Sequence, residues 1–287
     1  MKKLFASSSL FIVILFQACN MINPKETIPT YIQIDSVQLM PTVTSTHGSV
    51  SHKITDVWVY YDRQLLGTYE LPAKVPVLAT AKGQLQVVAG IWDNGLSGTR
   101  TKYPFYNVDT FTFSPSPTNT ISYTPKFIYR TADTPKINYY IEDFEQGNGL
   151  VKLSGDTSFV RTNIAGEVFE EDWSAKLTLD TAASYVEAIT GEQYTLTPNK
   201  EAYLELNYKS EVPLFIGTKI YYQGSYETLD IINLRSRDTW TKVYLNLTGF
   251  AATYQNGKFQ FIIKAVLPEG TDKAKVLIDN LKVIYFN

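Results

Sequence analysis

The chain is expected to be all-β, two antiparallel sandwiches in tandem, and three observations predict this. Aromatic residues make up 14% of the sequence, with 20 Tyr, and together with frequent Thr and β-branched residues they favour half-buried pleated surfaces. Apolar side chains alternate with period two in DVWVYYD (56–62), QLQVVAG (84–90), DTFTFS (109–114), AKLTLD (175–180), AYLELNY (202–208), TKVYLNL (241–247), KFQFIIKA (258–265) and KVLIDNLKVIYF (275–286), while a period of 3.6 is hard to find after Cys19. Short connections rich in Gly, Pro, Asn, Asp and Ser separate these runs, the spacing of antiparallel sandwiches.

The N-terminus is not part of that pattern. Lys2 and Lys3, an apolar stretch from Leu10 to Phe16, and small Ala18 before Cys19 form the three parts of a secretory signal. The apolar stretch falls short of the roughly 20 residues that span a bilayer, so residues 1–18 are expected to be removed. Phe16-Gln17-Ala18-Cys19 resembles the lipobox of bacterial lipoproteins, with Phe16 where Leu is usual. The resemblance implies that Cys19, the only cysteine, is acylated, palmitate included, and becomes the new N-terminus. Each buried methylene then adds about 0.8 kcal/mol of membrane affinity. The second residue after the cysteine is Asn20 rather than Asp, which by the same resemblance directs the protein to the outer membrane; with no acidic run following, the periplasmic face is favoured over the cell surface. Residues 19–30, polar with two prolines, read as a tether.

What remains is longer than one small domain usually is. An apolar content of 44% supplies ordinary cores, and 26 basic against 28 acidic residues give a net charge of -2, which offers no electrostatic case for nucleic acid. With a single cysteine, no intramolecular disulfide is available.

A first domain is placed at 31–130. In VWVYYDRQLLGTYELP, Val57, Val59 and Tyr61 share one face and Asp62-Arg63-Gln64 supply a turn. This pattern resembles small extracytoplasmic β-sandwich modules of immunoglobulin-like type. Ser114 to Asn119 is rich in Pro and Ser and reads as a turn before a closing strand, 120–129. Trp92 in GIWDNGLSG and Tyr103-Pro104-Phe105-Tyr106 form an aromatic group with two accounts: a platform for stacking on sugar or docking a partner, or a plug closing one end of the sandwich. Trp92, Tyr103 and Phe105 are therefore candidate ligand contacts. The string YRTADTPKI (129–137) then breaks the pattern.

A second domain is placed at 137–287. It opens with Tyr140-Ile141-Glu142-Asp143-Phe144-Glu145, carries a Trp173-to-Leu179 strand and a Thr239-to-Leu247 strand, and closes with Val276-Leu277-Ile278-Asp279-Asn280-Leu281-Lys282-Val283. That series is similar to the jelly-roll domains of carbohydrate-binding modules and galactose-binding-like domains. The resemblance implies a jelly roll and a structural Ca2+ joining first strand to last, with Asp143, Glu145 and Asp279 as its hard oxygen ligands. Solvated edge charges and a bulge cap are the alternative account of those carboxylates. Tyr221, Tyr222 and Tyr226 in KIYYQGSYETLD are the candidate sugar contacts, although neighbours in a strand point to opposite faces, so at most one of Tyr221 and Tyr222 joins a binding face.

Catalysis lacks its parts. His47 and His52 are the only histidines, and their spacing fits no helical metal pair; nucleophile elbow and phosphate loop are both missing from the sequence. The expected function is that of a lipid-anchored, non-catalytic envelope protein that recognises glycan through the jelly roll, with docking onto an outer-membrane protein complex as the alternative.

Overall fold

The computed structural model describes residues 26–131 and 136–287; the leader, Cys19, most of the tether and part of the 129–137 break lie outside them. Regular secondary structure among the described residues is almost entirely strand, as the alternation predicts, with short helical turns at Thr44–His47 and Thr248–Thr253. Among the described residues no helix is long and apolar enough to cross a membrane.

Residues 30–127 carry β1 (Thr30–Ile34), β2 (Gln38–Leu39), β3 (Asp56–Tyr61), β4 (Gln64–Glu70), β5 (Ala73–Val77), β6 (Gly83–Trp92), β7 (Arg100–Lys102), β8 (Asp109–Phe113), β9 (Thr120–Ser122) and β10 (Lys126–Phe127). One sheet has the order β5-β1-β9, with β1 and β9 parallel. Another has β4-β3-β6-β7, with β8 also on β6, and β2 pairs with β10. The β3-β4 hairpin turns at Asp62 and Arg63, both at positive φ (46° and 69°), as a two-residue turn matching strand twist requires. Ile32, Ile34, Val75 and Val77 face Val57, Val59, Leu85 and Val87 in a shared core, all buried.

The C-terminal body has β11 (Ile137–Glu142), β12 (Leu150–Gly155), β13 (Val160–Thr162), β14 (Ser174–Asp180), β15 (Tyr185–Thr190), β16 (Tyr194–Thr195), β17 (Ala202–Ser210), β18 (Leu214–Tyr222), β19 (Ser225–Leu234), β20 (Arg237–Asn246), β21 (Lys258–Val266) and β22 (Lys273–Phe286). One sheet runs β13-β14-β22-β17-β20 with β11 on β22; the other runs β12-β15-β21-β18-β19 with β16 on β21. All pairs within them are antiparallel. Strands close in sequence pass repeatedly from one sheet to the other, which is the jelly-roll arrangement. The inner faces meet in one core that includes Leu177, Leu204, Leu206, Ile216, Phe259, Phe261 and Ile278.

In β22 the core-facing residues are Val276 and Ile278 before Asp279, and Leu281 and Val283 after it. The switch from even to odd positions marks a bulge at Asp279-Asn280, where Asn280 has φ 51° and the pairing to β17 shifts. An extra residue in a strand exchanges its two faces. The bulge thereby sends Lys282, Ile284 and Phe286 to the outside of the jelly roll.

That outside face is not solvated. Tyr203 of β17, Tyr244 of β20, and Ile284 and Phe286 of β22 belong to the hydrophobic core of the N-terminal body. The two sandwiches thus share a core, and the middle of one jelly-roll sheet is buried on both faces; β17 shows this in Ala202 to Tyr208, buried at every position.

Candidate functional site

Three places gather chemistry-bearing side chains. The first is the junction itself. Glu205 on β17 points away from the jelly-roll core, into the seam, and is wholly buried. Its carboxylate accepts from the hydroxyls of Tyr103 and, at 2.8 Å, Tyr129, and pairs with the Lys242 ammonium at 2.6 Å and with Lys282 at 3.8 Å. Lys282 Nζ makes no hydrogen bond but lies 3.8 Å from the centroid of the Tyr129 ring, a favourable cation–π placement. Burial raises the Glu205 carboxyl's affinity for its proton, and the two lysines more than reverse this, bringing it to about 2. Lys282 is the excess cation, lowered to about 7 by burial. Burial beside Glu205 holds the Tyr103 and Tyr129 hydroxyls well above their usual range, so both remain donors. His47 stacks on Tyr129 and tilts against Tyr139, its Nδ1 2.5 Å from Thr42 Oγ1.

This junction corrects two of the candidate ligand contacts. Tyr103 and Phe105 are 1% and 0% exposed, packed against Tyr203 and, for Phe105, stacked on Phe286 at 4.7 Å. They close the sandwich against its neighbour, because aromatic area is the cheapest means of sealing a seam. No ligand ring reaches them there.

The second place is an acidic cleft of about 180 Å3 that brings together Asp143, Glu145 and Asp279 with Glu170, Glu171 and Asn280. Left-handed Phe144 (φ 61°), whose ring is buried in the core, separates Asp143 from Glu145, and the β22 bulge supplies Asp279. Glu145 Oε1 accepts from the backbone N–H of Trp173 at 2.8 Å, and Asp279 accepts from the Ser174 hydroxyl at 2.5 Å and the Asn280 N–H at 2.7 Å. Burial, aided by Glu170, raises Asp279 to about 7. Burial and then the charges of Glu145 and Asp143 raise Glu171. The donors are all hard oxygens, the chemistry Ca2+ takes. In the rotamers present, no three acidic or histidine side chains among the described residues converge closely enough to hold an ion.

The third place is the outer face of the β12-β15-β21-β18-β19 sheet. Tyr221 and Tyr226 are directly opposed in the register, with ring centroids 6.2 Å apart, and Tyr226 is 63% exposed. Lys219 Nζ lies 4.1 Å from the Tyr226 ring centroid and 5.3 Å from that of Tyr221, and the Tyr221 hydroxyl donates to Gln260 Oε1 at 2.8 Å. Further along the face, Lys264 lies over Tyr185 and Phe215 at 5.9 and 5.8 Å. Between these two clusters the register aligns Ile189, Ile262 and Gly217. Ile189 and Ile262 are buried yet outside the core cluster.

Strand alternation disposes of Tyr222 as a contact on this face. It packs against the jelly-roll core and edge-on to Tyr254 at 5.8 Å. Trp92 stands elsewhere, half-buried at the end of β6, with Lys53 Nζ 5.4 Å from its ring centroid. Of the six candidate ligand contacts, the structure brings together two pairs, Tyr103 with Phe105 inside the seam and Tyr221 with Tyr226 on the outer face.

The chain matches no family model and no curated protein. Solved structures similar to parts of it include a family 29 carbohydrate-binding module complexed with mannohexaose (9% identity, 52% of this chain and 92% of that one, TM-score 0.36). A family 16 carbohydrate-binding module is similar at 12% identity, over 49% of this chain and 94% of that one, with a TM-score of 0.33. A third is a family 61 module in complex with beta-1,4-galactotriose, at 11% identity over 52% and 88% of the two chains, with a TM-score of 0.30.

Proposed function

We propose that this chain is a non-catalytic envelope protein, anchored through acyl groups on Cys19 at the outer membrane, that binds glycan on the free face of its jelly roll. The supporting observation is the Tyr221-Tyr226 pair with Lys219 and Gln260. Two aromatic rings provide apolar faces for sugar C–H surfaces, and the neighbouring ammonium and amide supply the few polar groups that orient a ligand. The opposite sheet is occupied by the N-terminal body, which leaves this face available.

Tyr226→Ala is the direct test. Because Tyr226 is mostly exposed, the variant is expected to melt within about 0.5 kcal/mol of the parent while losing binding on a glycan array. Undiminished glycan binding by this variant contradicts the Tyr221-Tyr226 site, whereas no array binding by the parent together with recovery of one stoichiometric membrane-protein partner in a pull-down argues for an assembly role instead. For the anchor, Cys19→Ala is expected to release the protein from the membrane fraction; a variant that stays there with unchanged mobility contradicts lipidation.

The acidic cleft is proposed to hold structural calcium, with Asp143, Glu145 and Asp279 turning inward as ligands. Binding to the folded state alone raises stability by RT ln(1 + [L]/Kd), about 2.7 kcal/mol at a hundredfold excess over Kd. Added Ca2+ is therefore expected to raise the melting temperature and a chelator to lower it, and a melt indifferent to both removes calcium from the account.

A further inference from the structure

A cleft of about 240 Å3 opens between the two sandwiches where the 92–97 loop meets β20. Lys53, Trp92 and Asn94 contribute from the N-terminal body, and Arg235, Arg237 and Thr241 from the jelly roll, and no acidic residue lines it. Lys242 also reaches the cleft, but its charge is met by Glu205. The ion pairs formed among the described residues employ Arg100, Lys176, Lys242, Lys275 and Lys282; Lys53, Arg235 and Arg237 belong to none of them. Lys53 Nζ is held by the Thr241 hydroxyl oxygen at 2.9 Å. Its proton affinity is lowered by burial and then by the like charge of Arg237, the mark of a cation group without a counter-charge. The Trp92 Nε1 donor is likewise buried without an acceptor.

Three cationic residues line one small volume, beside a tryptophan whose N–H donor is unmet. We propose that this cleft is a binding site for an oxyanion, a carboxylate or a phosphate or sulfate group carried on a small polar molecule. Guanidinium groups pair with such groups in a two-pronged geometry that a lone ammonium cannot match. The volume is below the roughly 300 Å3 at which pockets for drug-sized ligands begin, so the anionic group and a short carrier fill it. Because each body supplies part of the charge, the site exists only in the docked arrangement, and a bound anion ties the bodies together. The site is separate from the Tyr221-Tyr226 face, and the inference does not depend on glycan binding there.

Isothermal titration of the full-length chain in a non-ionic detergent, with acetate, galacturonate, inorganic phosphate, inorganic sulfate and neutral glucose as separate ligands, tests it. Saturable binding of at least one anion and none of glucose is expected, weakening as ionic strength rises because part of the site is open to solvent. The carboxylate and the phosphate or sulfate arms identify which anion is preferred. Combined Arg235→Ala and Arg237→Ala is expected to weaken binding by about tenfold or more at unchanged melting temperature, since both arginines are exposed, whereas Tyr226→Ala leaves it intact. Absence of saturable anion binding, or equal binding by the double variant, overturns the proposal.

Discussion

Glu205→Ala is expected to destabilise the chain by about 3–5 kcal/mol, the range for deleting one partner of a buried ion pair. The substitution leaves Lys242 and Lys282 buried with no opposing charge and removes the acceptor from the Tyr103 and Tyr129 hydroxyls. Glu205→Gln preserves the shape and part of the hydrogen bonding, and its loss is expected to be smaller. The carboxyl's pH dependence gives a second readout. Its folded value, about 2, lies below the ordinary value of about 4.3. The stability it contributes is thus fully present above about pH 4.3 and is lost as pH falls through about 2. Urea unfolding of the parent is expected to weaken across that window, and that of Glu205→Gln to weaken less. A loss below about 1 kcal/mol for Glu205→Ala would falsify the central position given to this carboxylate.

Phe105→Ala is expected to cost about 3–5 kcal/mol, the range for emptying an aromatic site in a packed interior. The ring has no exposed surface and touches Tyr103, Tyr203 and Phe286, residues contributed by both bodies. A cavity there weakens the seam itself, so denaturation monitored in either sandwich is expected to shift to lower urea together. An effect confined to the N-terminal body contradicts a common core.

Much of the strand content was legible because alternation is a local property. Runs such as AKLTLD and DTFTFS carry one face more buried than the other, and both became strands. Asp143, Glu145 and Asp279, the three carboxylates singled out in the sequence, line one cleft in the structure. The seam was not legible. AYLELNY alternates apolar with polar, which ordinarily marks a strand with one wet face, yet Glu205 and Asn207 are 0% and 1% exposed. Only the arrival of a second sandwich makes that face dry, and a partner such as Tyr103, 102 residues from Glu205, leaves no trace in local periodicity. The same blindness affected Tyr103 and Phe105: an aromatic cluster in a loop looks alike whether it faces ligand or another domain. One signal was present in retrospect. Lys242 and Lys282 occupy positions of the same outward parity as Glu205, on the two strands that pair with β17, and two bases set on either side of an acid among apolar neighbours (YLELN, TKVYL, NLKVI) fit a buried ion cluster.

The claim on which the functional account rests is that the two sandwiches form one cooperative body, leaving a single jelly-roll face free for ligand. Differential scanning calorimetry of the full-length chain measures this directly. The account predicts one transition whose calorimetric and van't Hoff enthalpies agree, shifted as a whole by Glu205→Ala. Two separable transitions in the parent protein, with only one of them moved by that substitution, contradict it.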